Sequence, residues 1–417
     1  MRRVARTEVR PAVAVQGLFL FFGFGIAAFF PFLALYLDGF HDLSGSQIGL
    51  VIAAMSVARL LVNPVWGHVA DTRIGRRTAL QLGALGSAVA ALAMNLVDGP
   101  GALMVAAFVQ SAFMVANGPN VDAIALVHLG DERMSDYGRI RSWESLTYAA
   151  GCLGFGFVLQ RSGVGWAMPI FAISTLLVFG WSFTVVRDRP HGVVVHGRLG
   201  SVGAVFREAP RFWGFLAAVL LVWTGFNAAW NFIALKISDE GGGPLLVGIG
   251  TALGGLVEVP VMRSSSRLQR RFGLRRVYAL GCVVYGTGFL LWGTISNPTA
   301  LSLLTVFEGV GFSLLFTTGV VIVGRLLPQT LYSTGNSVAQ MVGFGIGPIV
   351  GAGVGGYVYQ HLGSGTLYAG ASALALAAAI VAWFALAIPA LDHPGEIAET
   401  EEPRATEVPM PGPDPTT

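Results

Sequence analysis

Trp66-Gly67-His68-Val69-Ala70-Asp71-Thr72-Arg73-Ile74-Gly75-Arg76-Arg77-Thr78 is a short charged turn between two long apolar runs. Its cations and its acid mark one side of a bilayer, because short basic loops are retained on the cytoplasmic side. Its glycines, Gly67 and Gly75, allow close backbone approach between the helices that flank it. The rest of the chain repeats this alternation of apolar run and short polar turn.

Hydrophobic residues make up 54% of the 417 residues and charged residues only 12%. A soluble domain carries about 25% charged residues. The mean hydropathy of +0.66 and the 56 glycines fit a polytopic helical membrane protein, in which small residues mediate helix contacts. The net charge of +3 does not point to nucleic acid, because the arginines are spread over short loops and form no single patch. Cys152 and Cys282 fall inside apolar runs and are expected as buried packing residues. No disulfide framework or metal-ligand spacing is present. Arg2, Arg3, Arg6 and Arg10 precede an apolar run that continues to Leu37. That run is much longer than the ~7–15 residues of a cleavable signal core, so it reads as a first membrane helix.

A membrane helix needs ~20 mostly apolar residues. Twelve such segments are expected: 12–37, 47–66, 78–97, 102–127, 141–160, 165–186, 212–235, 244–262, 277–296, 300–324, 334–358 and 366–389. The expected fold is all-α and polytopic, with these twelve transmembrane helices in two six-helix pseudo-symmetric bundles. One set of loops holds Arg73, Arg76, Arg77, Arg133, Arg139, the arginines from Arg187 to Arg211, those from Arg263 to Arg276, and Arg325. The opposite set holds Asp38, Asp42, Asp98, Asp239 and Glu240, with Arg161 and Lys236 as its cations. The bias predicts that both termini are cytoplasmic, in a multi-pass protein of the plasma membrane.

The stretch 187–211 divides the segments six and six. It is expected to be a central cytoplasmic loop between bundles 1–186 and 212–389. The tail 390–417 is rich in Pro and Glu and is expected to be disordered. The halves echo each other: Arg73-Ile74-Gly75-Arg76-Arg77, ending at Gly83, has the internal spacing of Arg271-Phe272-Gly273-Leu274-Arg275, ending at Gly281. Parallel repeats of this kind suit a two-bundle transporter.

The first loop resembles the signature loop of the major facilitator superfamily, with Gly67, three residues, Asp71, then Arg73-x-Gly75-Arg76-Arg77. The second copy has Ser265 and Gln269 where the first has Gly67 and Asp71. Pro119-Asn120-Val121-Asp122-Ala123, with Tyr137-Gly138-Arg139-Ile140-Arg141-Ser142-Trp143, is similar to the branch that holds phenylpropionate permeases and relatives of the nucleoside and oligosaccharide proton symporters. Glu258-Val259-Pro260 also looks like that branch. The chain departs from the branch at Glu144, where Gly is usual, and in the absence of histidines from its tenth segment. The resemblance implies a twelve-helix transporter working by alternating access, with its solute site between the halves.

In that frame Asp71, Arg73, Arg76 and Arg77 would form a cytoplasmic latch, made when that side closes and broken when it opens. Pure topology is the simpler reading of the same charges. Charges inside spans cost at least ~2.5–3.5 kcal/mol on insertion scales, so each one needs a reason. Glu308 falls near the midplane and is the first candidate for proton coupling, with Asp122 the second; a neutral or Arg59-paired structural acid is the alternative for Glu308. Asp122 and Arg141 are expected to pair near the cytoplasmic ends of adjacent helices. Glu144 lies one turn from Arg141, and Glu258 belongs by resemblance to the gate region. For the solute, Gln110 and Asn117 are seven residues apart, and Asn227, Trp230 and Asn231 share a face at i, i+3, i+4. Phe29, Phe30 and Tyr36 add aromatic surface. Amides beside rings suit a small organic solute, although they also serve as helix glue.

No catalytic constellation, cofactor motif or phosphate-cradling Gly-Lys sequence is present. The reading is therefore a secondary transporter of a small organic solute, by proton-coupled symport. Proton-antiport efflux of a drug-like compound and a non-transporting solute receptor are the alternatives. The expected partners are the solute, protons and the lipid bilayer, with the protein a monomer, no nucleic acid and no cofactor.

Overall fold

The computed structural model describes residues 11–129, 137–185, 203, 205, 207, 209–388 and 391. Most of the central loop and the tail expected to be disordered lie outside the described residues, as does Arg133.

All regular structure among the described residues is helical. Helix α1 (Pro11–Phe29) turns at residues 30–32 into the short α2 (Leu33–Gly39). Helix α3 (Gly45–Val69) ends in a π-helical turn, Ala70–Ile74, before α4 (Arg76–Met94). A break at residues 115–116 separates α5 (Pro100–Met114) from α6 (Asn117–Leu129). Then come α7 (Tyr137–Ser162) and α8 (Ala167–Trp181). The second half contains α9 (Pro210–Asp239), α10 (Pro244–Phe272), α11 (Leu274–Thr294), and α12 (Pro298–Leu303) leading into α13 (Thr305–Leu326). It closes with α14 (Tyr332–Gln340), a π-helical stretch Met341–Ile346, and α15 (Gly347–Ala385).

Ten segments of the described residues are long and apolar enough to cross a membrane, by length and composition. One of them, Tyr332–Ala385, breaks at Gly363, whose φ of 84° and ψ of 160° are not helical. Leu367 comes back against Gly355, so the segment forms two arms. Helix α7 is 26 residues long but carries Arg139, Arg141, Glu144 and Arg161 and is not among the ten. A count of twelve requires α7 and both arms to be counted as spans.

Helices before residue 185 pack mainly on one another: α1 lies along α7 and α8, α4 along α5 and α8, and α3 along α5. Those after residue 210 do likewise, with α15 lying along α9 and α11, and α13 along α10 and α11. Two long seams join the sets, α3 with α15 and α7 with α10. Helix packing in lipid relies on close van der Waals contact rather than on the hydrophobic effect, and both seams are made of small residues. A Cβ on Gly49 would collide with the Ala352 carbonyl, and one on Gly356 with the Gly45 carbonyl. On the other seam, a Cβ on Gly248 would collide with the Cys152 carbonyl, and one on Gly156 would lie 2.8 Å from the Pro244 carbonyl. The small pairs Gly45/Gly49, Ala352/Gly356, Cys152/Gly156 and Pro244/Gly248 all share the four-residue spacing that aligns one helix face.

Both tight seams lie at the acidic end of the molecule. In the first part of α3, Ile48, Gly49, Val51, Ile52, Met55 and Ser56 are buried, whereas none of residues 61–69 is. In α10, Val247 through Gly254 are mostly buried, whereas none of residues 255–264 is. Helices α3 and α10 are thus covered at the acidic end and uncovered along the stretches 61–69 and 255–264 toward the arginine-rich end, α10 becoming buried again at Ser265 and Gln269.

The signature turn corrects one sequence expectation. A Cβ on Gly67 would meet nothing within 4 Å, so this glycine mediates no close approach. Gly75 is required for a different reason: it starts α4 with φ 77° and ψ 158°, a region that is essentially Gly-only. Gly273 starts α11 with φ 82° and ψ 156°. The final glycines of the two motifs also match. A Cβ on Gly83 would crowd Asn117 at 2.6 Å, and one on Gly281 would crowd Leu315 at 2.9 Å. Alanine at Gly75 or Gly273 is expected to cost about 1–3 kcal/mol of stability. Gly67→Ala, in helical backbone with open space, is expected to be neutral or stabilising by up to ~1 kcal/mol. Thermal unfolding of the three variants in detergent checks this, and equal melting points would contradict it.

Candidate functional site

A cavity of about 40 Å³ lies where the two sets of helices meet, with Phe30, Arg59, Trp230, Asn231 and Thr251 among its lining. That is room for about three waters. Helical periodicity places these groups: Ile52 and Arg59 are two turns apart on α3, and Val247 and Thr251 one turn apart on α10. The Arg59 guanidinium sits over the Phe30 ring, 5.7 Å from its centroid. Its Nε is fully buried and has no hydrogen-bond partner. Two of the cavity's other polar side chains donate to backbone carbonyls. Asn231 Nδ2 donates to the Asn227 carbonyl at 2.8 Å, and Thr251 Oγ1 donates to the Val247 carbonyl at 2.9 Å.

Of the five residues expected to bind solute, Trp230 and Asn231 line this cavity. The other three are placed elsewhere. Asn227 Nδ2 donates to the Trp223 carbonyl, and its Cβ packs against Gly351 of α15. Gln110 is fully buried, with its Nε2 against Met114 Sδ at 3.4 Å. Asn117 is 2% exposed and lies against Gly83 of α4. The reason is the break at residues 115–116, which divides the run carrying Gln110 and Asn117, so seven-residue spacing no longer guarantees a shared face. Phe29 and Tyr36 are fully buried; Tyr36 donates to Asn95 Oδ1 at 2.7 Å.

Glu308, on α13, is buried against α10, where a Cβ on Gly254 would sit 3.0 Å from its Oε2. The missing side chain at Gly254 is what makes room for the carboxyl. Glu308 and Glu258 lie close enough for their charges to interact, and Tyr148 of α7 and Tyr285 of α11 feel both. Glu258 was expected at a gate; it stands instead in one cluster with Glu308. Arg59 does not reach this cluster: no carboxylate among the described residues acts on its charge. The pairing of Glu308 with Arg59 is therefore not formed.

Asp122 is engaged in the way its neighbours suggest. Arg141 Nη1 lies 3.1 Å from Asp122 Oδ1, and Tyr137 Oη donates to the same oxygen at 2.8 Å. Glu144 acts electrostatically on Arg141. In the signature turn, Asp71 pairs with Arg76 at 3.1 Å. Arg77 Nη1 donates to the Val185 carbonyl at 3.0 Å and its guanidinium covers Phe183. Arg73 is exposed. These contacts tie α4 to its own turn and to the end of α8, within one half of the molecule.

Sequence reading did not find Tyr148, Tyr285 or Thr251. The available signal was weak: Tyr148 follows Glu144 by one helical turn, and a lone aromatic or hydroxyl in an apolar run gives no further cue.

The chain matches the MFS_1 like family over residues 15–369. The maltose permease of Geobacillus stearothermophilus is 28% identical over 358 residues, which is 84% of this chain and 87% of that protein. The probable 3-phenylpropionic acid transporter of Escherichia coli is 26% identical over 376 residues, covering 84% of this chain and 90% of that protein. The crystal structure of the nucleoside transporter NupG superposes with a TM-score of 0.82 at 15% identity, covering 91% of this chain and all of that one; at this identity the likeness concerns the fold. The chain belongs to the MFS_1 like family and is a multi-pass membrane transporter of small solutes, not an enzyme.

Proposed function

We propose that this protein carries a small organic solute by proton-coupled symport, through alternating access. Two six-helix bundles, residues 1–186 and 212–389, rock about the seams α3–α15 and α7–α10. Both termini lie in the cytoplasm, the protein works as a monomer in the plasma membrane, and the arginine-rich end faces inward. The observation that carries this reading is the asymmetry of the seams: covered by small-residue contacts at the acidic end and uncovered at the other. A central cavity at their junction is where an alternating-access solute site belongs. The names of the relatives, a maltose permease and a probable 3-phenylpropionic acid transporter, support solutes with a compact organic body.

Glu308 is the coupling acid. It is buried, faces a second carboxyl from α10, and no cation among the described residues is paired with it. Two carboxyls in a site of low dielectric do not both ionise readily, so a single exchangeable proton suits the pair. Asp122, held by Arg141 and Tyr137, serves the gate on the arginine-rich side together with Gly67, Asp71, Arg73, Gly75, Arg76, Arg77 and Glu144. Solute contacts come from Trp230 and Asn231 directly, with Gln110, Asn117 and Asn227 shaping the helices behind them.

Proteoliposomes with an imposed inward-acid or outward-acid gradient test the whole reading. Gradient-driven accumulation of labelled maltose or 3-phenylpropionate is expected, and the absence of accelerated flux of any permeant would remove the transporter assignment. Glu308→Gln is expected to abolish proton-driven accumulation while preserving solute exchange; accumulation at the wild-type level would free Glu308 from coupling. Asp71→Asn, which removes the Asp71–Arg76 ion pair, is expected to raise labelling of cysteines placed along the inner ends of α3 and α10. Identical labelling would reduce the turn to a topology signal. Epitope tags at the two ends, probed in intact and permeabilised cells, are expected to be reached only after permeabilisation.

A further inference from the structure

We infer that the solute is an organic anion, and that Arg59 is the residue that reads its carboxylate. This inference rests on the transporter reading above. Arginine keeps its charge in proteins, and a buried charge with no partner costs several kcal/mol. Here Nε is buried and unpaired, and no acid among the described residues stands near the guanidinium. The Phe30 ring provides a cation–π contact, a weak partner for a desolvated charge that leaves the N–H groups of the fork unused. A carboxylate would meet that fork with paired, charge-assisted hydrogen bonds.

The cavity's lining adds a further ground. Among its polar lining, Asn231 donates one amide N–H and Thr251 its hydroxyl to backbone carbonyls, so Arg59 supplies the charged donors and Asn231 and Thr251 also offer acceptors. A bound carboxylate would therefore sit at Arg59, with hydroxyl or amino donors on the same molecule turned toward Asn231 Oδ1 and Thr251 Oγ1. Its apolar body would extend along Phe30 and Trp230, widening the void as the seams open. Phe30 and Arg59 belong to the first set of helices and Trp230, Asn231 and Thr251 to the second. An anion bound there touches both, which is what a solute needs in order to favour rocking.

The test is binding to the full-length protein in nanodiscs, read by calorimetry and tryptophan fluorescence. The probes are acetate, benzoate, 3-phenylpropionate and gluconate, each beside its neutral primary amide. Wild-type protein is expected to bind at least one carboxylate tenfold or more tightly than its amide. Arg59→Gln should bring that carboxylate down to the affinity of the amide, and Arg59→Lys should retain part of the preference. Equal affinity for acid and amide in the wild type, no binding of any carboxylate, or an unchanged preference in Arg59→Gln each overturns the inference. The wild-type comparison needs no variant and stands even if Arg59→Gln fails to fold. Flux of labelled maltose separates the two readings: transport of this neutral sugar by both wild type and Arg59→Gln would sink the anion site and leave the transporter intact.

Discussion

Close backbone contact between small residues is the constraint on which the rest depends. Lipid offers helices no hydrophobic reward for association, so the two sets of helices hold together only where their backbones approach. Gly45 and Gly49 against Ala352 and Gly356, and Cys152 and Gly156 against Pro244 and Gly248, provide that approach twice. The two contacts are the same solution used at corresponding places in each half. Each has a short, smooth footprint without interlocking side chains. Such a surface resists separation but offers little resistance to a change of angle, and the uncovered ends of α3 and α10 show how far apart the far side can stand.

That geometry decides where charge is tolerable. The two sets meet tightly at one end and diverge toward the other, leaving a protein-lined space where spans would otherwise be packed. Arg59 faces it from one set, and Glu258 and Glu308 cluster further along α10, Glu258 two turns beyond Thr251, beside α7 and α11. The opposite charges are kept apart. If Arg59 and Glu308 were paired, each would neutralise the other and neither would have a use for a partner from solution. Kept apart, the cation retains its demand for an anion and the carboxyls retain theirs for a proton. Gly254 is part of the reason: a side chain there would push Glu308 out of the space it occupies.

Much of the fold was legible in the sequence because it follows from bulk properties. Hydropathy alone marks most spans, and the φ values at Gly75 and Gly273 explain why the second loop preserves Arg-x-Gly-x-Arg after losing Gly67 and Asp71. Helix interruptions were less legible. The breaks near residues 115 and 304 fall in runs with no proline at the break, so apolar composition hides them, and the break near residue 30 is marked only by Pro31 inside a long apolar run. That loss propagated to the site. Gln110 and Asn117 were placed on one face by a periodicity that the break cancels, and Asn227 shares a face with Trp230 and Asn231 yet meets α15 instead of the cavity. Charge pairing fared better where the partners are close in sequence, as with Asp122 and Arg141, because adjacent helices leave few alternatives. Glu258 and Glu308 come together through tertiary packing that no local pattern encodes.

The interrupted spans also bear on how the halves move. A straight helix transmits a tilt along its whole length, whereas a broken one divides it. Helices α1–α2, α5–α6 and α12–α13 are all broken, and α14 reaches α15 through a π-helical stretch rich in glycine. The four seam-forming faces, by contrast, lie on unbroken stretches of α3, α7, α10 and α15. Rigid rods carry the seams and divided ones surround the space between them. Rotation at the seams is carried along the rods as far as Pro64 of α3 and Pro260 of α10, each of which removes a helical hydrogen bond, while the divided spans absorb the local adjustment needed to close around a solute. Both properties are needed together: rigid spans alone would open and shut without gripping, and divided spans alone would grip without opening.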